Sequence, residues 1–389
     1  MDGNAPAIHP QQYDAPPQRN RGLDALRGSV TLLVLLHHTA TTYGATGGWF
    51  YRELRPDGSP SSLLLTIFVA VNQSFFMGLF FLLAGYFTPA SIRAKGALRF
   101  ARDRLRRLGL PLLAFGLVLG PVTVALAQTS RGRPFLDTLL AVWRQGRFVE
   151  GPLWFAEALL IFSAAALLWH LAVRRGNETS AETSLSAFPS NRTLAIAAIV
   201  TGGAAFALRL WWPVGADIWG LQLGYFAGYT VLFVAGCIAA DRRWLERIPP
   251  ASVRLWSRVA LICLPILPAA LLLGSLLPAL HEPAEGGFNA QALLYAFWEP
   301  PLAWGIILWL VVFYQRRFPR LDGLWRQLAA RAYTIYIIHP PVLVGVALAW
   351  RDIAAPALLK FGVTGFATCA ISFSLAGLIL RIPGAKRIL

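Results

Sequence analysis

The sequence predicts an all-α protein that crosses a membrane many times, and three observations carry the prediction. Of its 389 residues 56% are hydrophobic and only 14% charged, where a soluble domain carries roughly a quarter charged residues. The apolar residues gather into runs of about 18 to 25, long enough as helix to cross a ~30 Å hydrocarbon core. The period-two alternation that marks the strands of an outer-membrane barrel is missing.

Ten runs can be followed, at 29–46, 64–87, 108–127, 152–173, 194–212, 218–240, 256–280, 291–314, 332–350 and 355–381. The fifth and sixth are separated only by the short link "WWPVGAD". If the odd-numbered helices run outward, 26 of the 35 Lys/Arg residues fall on the side that holds both termini. This is the positive-inside asymmetry, and it predicts cytoplasmic termini. The net charge of +16 therefore reflects topology, and basic runs such as "IRAKGALRFARDRLRRLG" would meet anionic head groups of the lipid bilayer. A nucleic-acid partner is not expected, because no basic, aromatic-interleaved groove is visible.

Residues 1–18 are rich in Pro, Gln and Asn and lack an apolar core. They predict a disordered cytoplasmic tail, with 19–389 as a single membrane domain whose first helix acts as the insertion signal. The one long polar linker, 174–193, contains sequons at Asn177 and Asn191. Both fall on the expected cytoplasmic side and are read as chance. Cys237, Cys263 and Cys369 stand alone inside apolar runs, so neither a disulfide framework nor a metal site is expected.

The candidate chemistry begins with "RGSVTLLVLLHH" (27–38). Arg27 and His38 are eleven residues apart, which on a helix is three turns plus about 20° and a rise of about 16 Å. The two side chains thus share a stripe, with Arg27 at the cytoplasmic boundary and His38 near mid-membrane. His37 points about 80° away from it. Ionisable groups inside a bilayer are costly and functional by default, although a histidine hydrogen-bonded to a neighbouring helix is the plainer alternative. His339 ("YTIYIIHPP") is expected about 11 Å from the cytoplasmic edge, and Glu299 ("AFWEPPLAWG") about 12 Å from the outer one. Glu157 lies nearer the outer face. Pro300, Pro301, Pro340 and Pro341 are expected to open their helices and free carbonyls. Two histidines and a carboxylate at similar depth could serve as base, orienting group and acid, or as a proton relay in a transporter.

Five stretches together resemble one known family. "RGLDALRGSVTLLVLLHH" is similar to the opening of the acyltransferase-3 membrane enzymes, whose signature is an arginine, ten residues and a histidine, matched here by Arg27 and His38. "FFMGLFFLLAGYFTP" resembles the family's second-helix block. "FARDRLRRLGLPLL" resembles its basic Arg-x-x-Arg stretch, with Arg104 and Arg107 as the matching pair. "GPLWFAEALLIF" and "YTIYIIHPPVL" resemble its fourth and penultimate helices. The resemblance spans about 19 to 381.

The resemblance implies transfer of an acyl group, most often acetyl and sometimes succinyl, to a hydroxyl of an extracytoplasmic glycan or glycosylated product. The donor would be cytoplasmic acyl-CoA (acetyl-CoA or succinyl-CoA), used as a substrate, with no permanently bound cofactor. It also implies a multi-pass protein of the bacterial inner membrane, with envelope polysaccharide machinery as a partner class. The physical reading agrees. Arg104 and Arg107 can bind the phosphates of CoA. His38, in the neutral form that burial favours, can take a proton from the acceptor hydroxyl or take the acyl group itself. His339 would be a second base or an orienting group, and Glu299 would orient a histidine or bind a sugar hydroxyl. Glu157 and Trp154 read as positioning or packing residues, and Asn72, Gln73 and Ser74 as outer-half polar groups within reach of an acceptor.

A proton-coupled transporter or flippase is the alternative. The Pro-Pro segments, however, have no counterpart in the first half, as an inverted repeat would require. Another histidine-dependent membrane acyltransferase class, the MBOAT type, does not match the Arg-x10-His opening. Soluble nucleophile, P-loop and zinc-protease motifs are absent.

Overall fold

The computed structural model describes residues 21–174, 187–276 and 283–389. The expected tail at 1–18 and the sequon at Asn177 lie outside the described residues. The described residues are mostly helical, with only isolated bridges such as Tyr43–Leu54 in place of strands.

In chain order the helices are α1 (Arg21–Thr42), α2 (Pro60–Lys95), α3 (Ala97–Thr129), α4 (Phe135–Arg144), α5 (Trp154–Arg174) and α6 (Asn191–Arg209). They continue with α7 (Phe226–Arg242), α8 (Pro250–Cys263), α9 (Ile266–Leu276), α10 (Ala290–Arg317), α11 (Gly323–Ala349) and α12 (Ala357–Ile379). Nine helical segments among the described residues are long and apolar enough to cross a membrane. The protein is a polytopic all-α membrane bundle.

The first expected run is α1, which falls outside the nine on composition and sits at the middle of the bundle. It packs against α2, α10, α11 and α12, and buries Leu23, Leu26, Val30, Val34 and Leu35 to 4% exposure or less. A helix shielded from lipid can carry the polar groups that a lipid-facing helix cannot. It begins at Arg21, eight residues before the expected 29. Asp24 and Arg27 interrupt the apolar run but pair with each other at 3.1 Å, one turn apart. Burial of Leu23, Ala25 and Leu26 then carries the helix back through them.

The helix ends sort onto two faces. At one end Arg93 of α2 pairs with Asp241 of α7 at 2.8 Å, and the Tyr333 hydroxyl donates to the Arg107 carbonyl at 2.8 Å. At the other end Lys360 of α12 donates to Glu53 in the α1–α2 loop. The close approach of α2 and α7 uses glycine on both partners. A Cβ at Gly85 of α2 would collide with the Phe233 carbonyl, and one at Gly236 of α7 with the Leu82 carbonyl. Small residues that let backbones meet are the usual glue between membrane helices.

The Pro-Pro segments differ from expectation. α10 runs unbroken through Pro300 and Pro301, and α11 through Pro340 and Pro341. One of the carbonyls these prolines orphan, that of Tyr336, finds another partner in His339 Nδ1 at 2.6 Å. The run expected at 256–280 does break, between α8 and α9 around Pro265.

Candidate functional site

Two histidines predicted from separate helices meet. The rings of His38 on α1 and His339 on α11 are nearly parallel, at 13°, with centroids 5.4 Å apart. Trp49 joins them, stacked on His38 at 3.8 Å and 14° and lying 5.8 Å from His339 at 11°. His37 turns to α2 instead and stacks on Phe76 at 4.9 Å.

His339 is held by a device that its own sequence supplies. In a regular helix the Tyr336 carbonyl would accept from the amide four residues on, but that residue is Pro340, which has no N–H. The His339 Nδ1 lies 2.6 Å from this carbonyl. A carbonyl only accepts, so Nδ1 is the protonated nitrogen and Nε2 carries the free lone pair. His339 Nε2 is buried without a partner. A proline thus sets the tautomer of the preceding histidine. Changing Pro340 to alanine returns an amide to the Tyr336 carbonyl and releases the imidazole. Transfer is expected to fall on the order of tenfold while the thermal unfolding midpoint holds or rises. Unchanged transfer would show that the tautomer lock has no catalytic weight.

His38 lies one turn before the end of α1, not at its middle, so it is farther along the helix than the sequence suggested. The Thr41 and Thr42 hydroxyls donate to the His38 carbonyl at 2.8 and 3.0 Å. The His38 Nδ1 is buried and unpartnered, as is the Trp49 indole nitrogen. His339 is likewise deeper than expected, sixteen residues from the start of α11, because α11 begins at Gly323 and not at 332.

Trp49 was not foreseen. It lies in the loop 43–59, where periodicity carries no signal, and the one available hint was its setting in "ATGGWFY". Gly47, at φ +123°, occupies backbone space that a side chain rarely adopts. The loop folds back on α1 through Glu53 and Leu54 amides donating to the Thr42 carbonyl at 2.9 and 3.2 Å. Its far side is pinned by Lys360, which reaches Glu53 and also the Arg351 carbonyl at 3.0 Å. The two ion-pair side chains are 6% and 11% exposed. Replacing Lys360 with methionine leaves Glu53 without its cation. Faster amide hydrogen exchange over 43–59 is then expected, with lower transfer because Trp49 loses its seat. Exchange identical to the parent protein would show that the latch does not hold the loop.

The other candidates are placed elsewhere. Arg27 stands about 16 Å along α1 from His38, engaged by Asp24. Arg104 is half-buried, donates to the Thr88 hydroxyl at 3.2 Å and lies over the Phe100 ring at 5.1 Å. Arg107, three residues on, is exposed. Arg104 and Arg107 straddle the start of a π-helical turn, Leu105–Gly109, in α3. Such turns are rare and often mark functional segments. Glu157 is half-buried on α5, and Trp154 stacks on Tyr229 at 5.8 Å.

Glu299 is not with the histidines. It pairs with Arg209 at the end of α6, a residue whose side chain is 1% exposed. Among the described residues no hydrogen bond or ring contact joins Glu299 to an imidazole. Depth alone suggested the grouping. The Arg209 guanidinium, ninety residues away in sequence, is what a buried carboxylate needs and what the sequence gave no reason to select. Gln73 and Ser74 line the pocket beside this pair, while Asn72 is buried with its Nδ2 unpartnered.

No curated protein and no solved structure matches the chain. A family model does. The model described as an acyltransferase domain matches residues 20–377, which include both imidazoles, the basic turn of α3 and every membrane-spanning helix but the last two residues of α12. On that match the chain belongs to the acyltransferase-3 family and is a membrane acyltransferase.

Proposed function

We propose that the protein moves an acetyl or succinyl group from acyl-CoA in the cytoplasm to a hydroxyl of a glycan or glycosylated product on the far side of a bacterial inner membrane. The observation that carries this reading is the meeting of His38 and His339. Each presents a buried ring nitrogen with no protein partner, and the indole of Trp49 covers them.

One imidazole takes the proton of the acceptor hydroxyl as its oxygen attacks the thioester carbonyl. The tetrahedral centre collapses, the C–S bond breaks, and the imidazolium returns the proton to the leaving thiolate. His339 suits the base because its tautomer is set. His38 suits either proton transfer or attack on the acyl group, and the unpaired Trp49 indole N–H is a donor for the oxyanion. Arg104 and Arg107 lie at the end of the bundle that the charge asymmetry assigns to the cytoplasm, where they would hold the phosphates of CoA.

A chain of buried ionisable groups leading across the bundle would favour a transporter. Arg27 pairs with Asp24 on its own helix, and Glu299 pairs with Arg209 and not with either imidazole. The test is transfer of labelled acetyl from acetyl-CoA in inverted membrane vesicles, with succinyl-CoA in a second arm. Label in envelope glycan supports the reading. No label from either donor with added acceptor glycans overturns it.

A further inference from the structure

A groove between α6 and α8 has apolar walls and a cationic mouth. Both helices pack on α10, and between them they leave a space of about 360 Å³, within the size range of ligand sites. Ala195 and Ile199 of α6, Leu255 and Trp256 of α8, and Phe297 and Pro301 of α10 line it. Ile199 is 61% exposed and Leu255 43%, so the groove opens sideways, toward lipid.

The contacts of α10 fix where the arginines stand. Trp304 donates to the Leu194 carbonyl of α6 at 3.1 Å. The next residue, Gly305, is so close to α8 that a Cβ would collide with the Trp256 carbonyl and the Ala260 side chain. Residues 256–260 are therefore level with Leu194, which puts Arg258 and Arg192 at a similar depth on the two sides of the groove. Each is one turn from a lining residue, Arg192 from Ala195 and Arg258 from Leu255. Arg254 lies one turn before Arg258. All three are exposed and have no ion-pair partner among the described residues. Both helices begin at the end of the bundle that carries the Arg93–Asp241 pair, which the charge asymmetry assigns to the cytoplasm.

Arg258 restricts the occupant most. It stands eight residues into α8, about 12 Å along a segment able to span a membrane. A cation on the exposed side of such a helix is costly until it reaches a counter-charge. Arginine does so by laying its stem on apolar surface and lifting its head to the interface. The anion waiting there is a lipid phosphate, which a guanidinium binds through two parallel hydrogen bonds. Two polar atoms on lining residues, Trp256 Nε1 and Asn191 Oδ1, are buried without a partner. The indole N–H suits an ester carbonyl, and the amide oxygen suits a headgroup hydroxyl. A zwitterionic headgroup would add a fourth cation to three arginines, whereas an anionic one would not.

We infer that the α6–α8 groove binds one anionic phospholipid of the cytoplasmic leaflet, its phosphate held between Arg192 and Arg258 and one acyl chain laid along the groove toward Phe297 and Pro301. This lipid is neither donor nor acceptor of the acyl group. It ties together two helices that both lean on α10.

The test places the full-length protein in phosphatidylcholine nanodiscs that contain a minor fraction of phosphatidylglycerol with a photoactivatable group on its acyl chain. Cross-links to 195–199 and 255–259 are expected to be about fivefold stronger than from photoactivatable phosphatidylcholine at the same fraction, the effect of roughly one arginine beside an anionic lipid. Arg192→Gln with Arg258→Gln should abolish that preference, and Arg192→Lys with Arg258→Lys should keep part of it. Ala195→Leu fills the groove and should lower labelling of 255–259 with the cations intact, so a glutamine variant that failed to insert would still leave a test. Phosphatidylglycerol should also raise the thermal unfolding midpoint of the parent and not that of the glutamine variant. Equal labelling by the two lipids, or a preference that survives the glutamine changes, overturns the site. Labelling of other exposed helix faces but none in the groove would mean that protein covers it, and overturns the site as well.

Discussion

Replacing His38 with alanine is expected to lower acyl transfer by about 10²- to 10⁴-fold, the range for loss of a positioned proton-transfer group, while His37→Ala keeps most of the activity. The two residues are neighbours in sequence with the same side chain, so the contrast isolates geometry from composition. His38 faces His339 and Trp49. His37 is spent on Phe76 and is 7% exposed. His339→Ala should fall as far as His38→Ala. The double variant should be little worse than either, because residues that act as a unit do not add. Insertion is checked by the amount of protein in the membrane fraction, and transfer by label in glycan. Equal losses at His37 and His38 would mean that the pair has been misassigned and that packing of α1, not chemistry, sets the effect.

Much of this site could be read before the fold was seen, for physical reasons that can be named. Helical periodicity put Arg27 and His38 on one stripe, and the cost of burying an imidazole in a bilayer marked His38 and His339 as worth attention. Long apolar runs found the membrane helices, because transfer into hydrocarbon depends on composition more than on partners. The same logic mistook the start of α1. A run that opens at 29 ignores an Asp24–Arg27 pair that satisfies itself one turn apart.

What stayed hidden depended on tertiary partners. Trp49 sits in a loop whose path is set by Lys360, more than three hundred residues on. Nothing in the sequence marks Arg209 as the partner of Glu299, ninety residues away. A Pro-Pro segment predicts a break because proline removes a donor. At Tyr336 the missing donor is replaced by the side chain of the residue before the proline, which no propensity scale contains.

The Arg209–Glu299 pair should behave as a unit in stability. Arg209→Ala or Glu299→Ala alone is expected to destabilise the protein by about 3–5 kcal/mol, since each leaves a buried, uncompensated charge. The survivors have little access to water, the Arg209 side chain being 1% exposed and that of Glu299 12%. Removing both charges with Arg209→Leu and Glu299→Leu together should restore most of the stability, because well-packed apolar residues often match a buried ion pair. The thermal unfolding midpoint of purified protein gives the order: parent and double variant close together, both single variants well below. If the single variants were as stable as the parent, water would be reaching the pair freely and neither charge would be uncompensated.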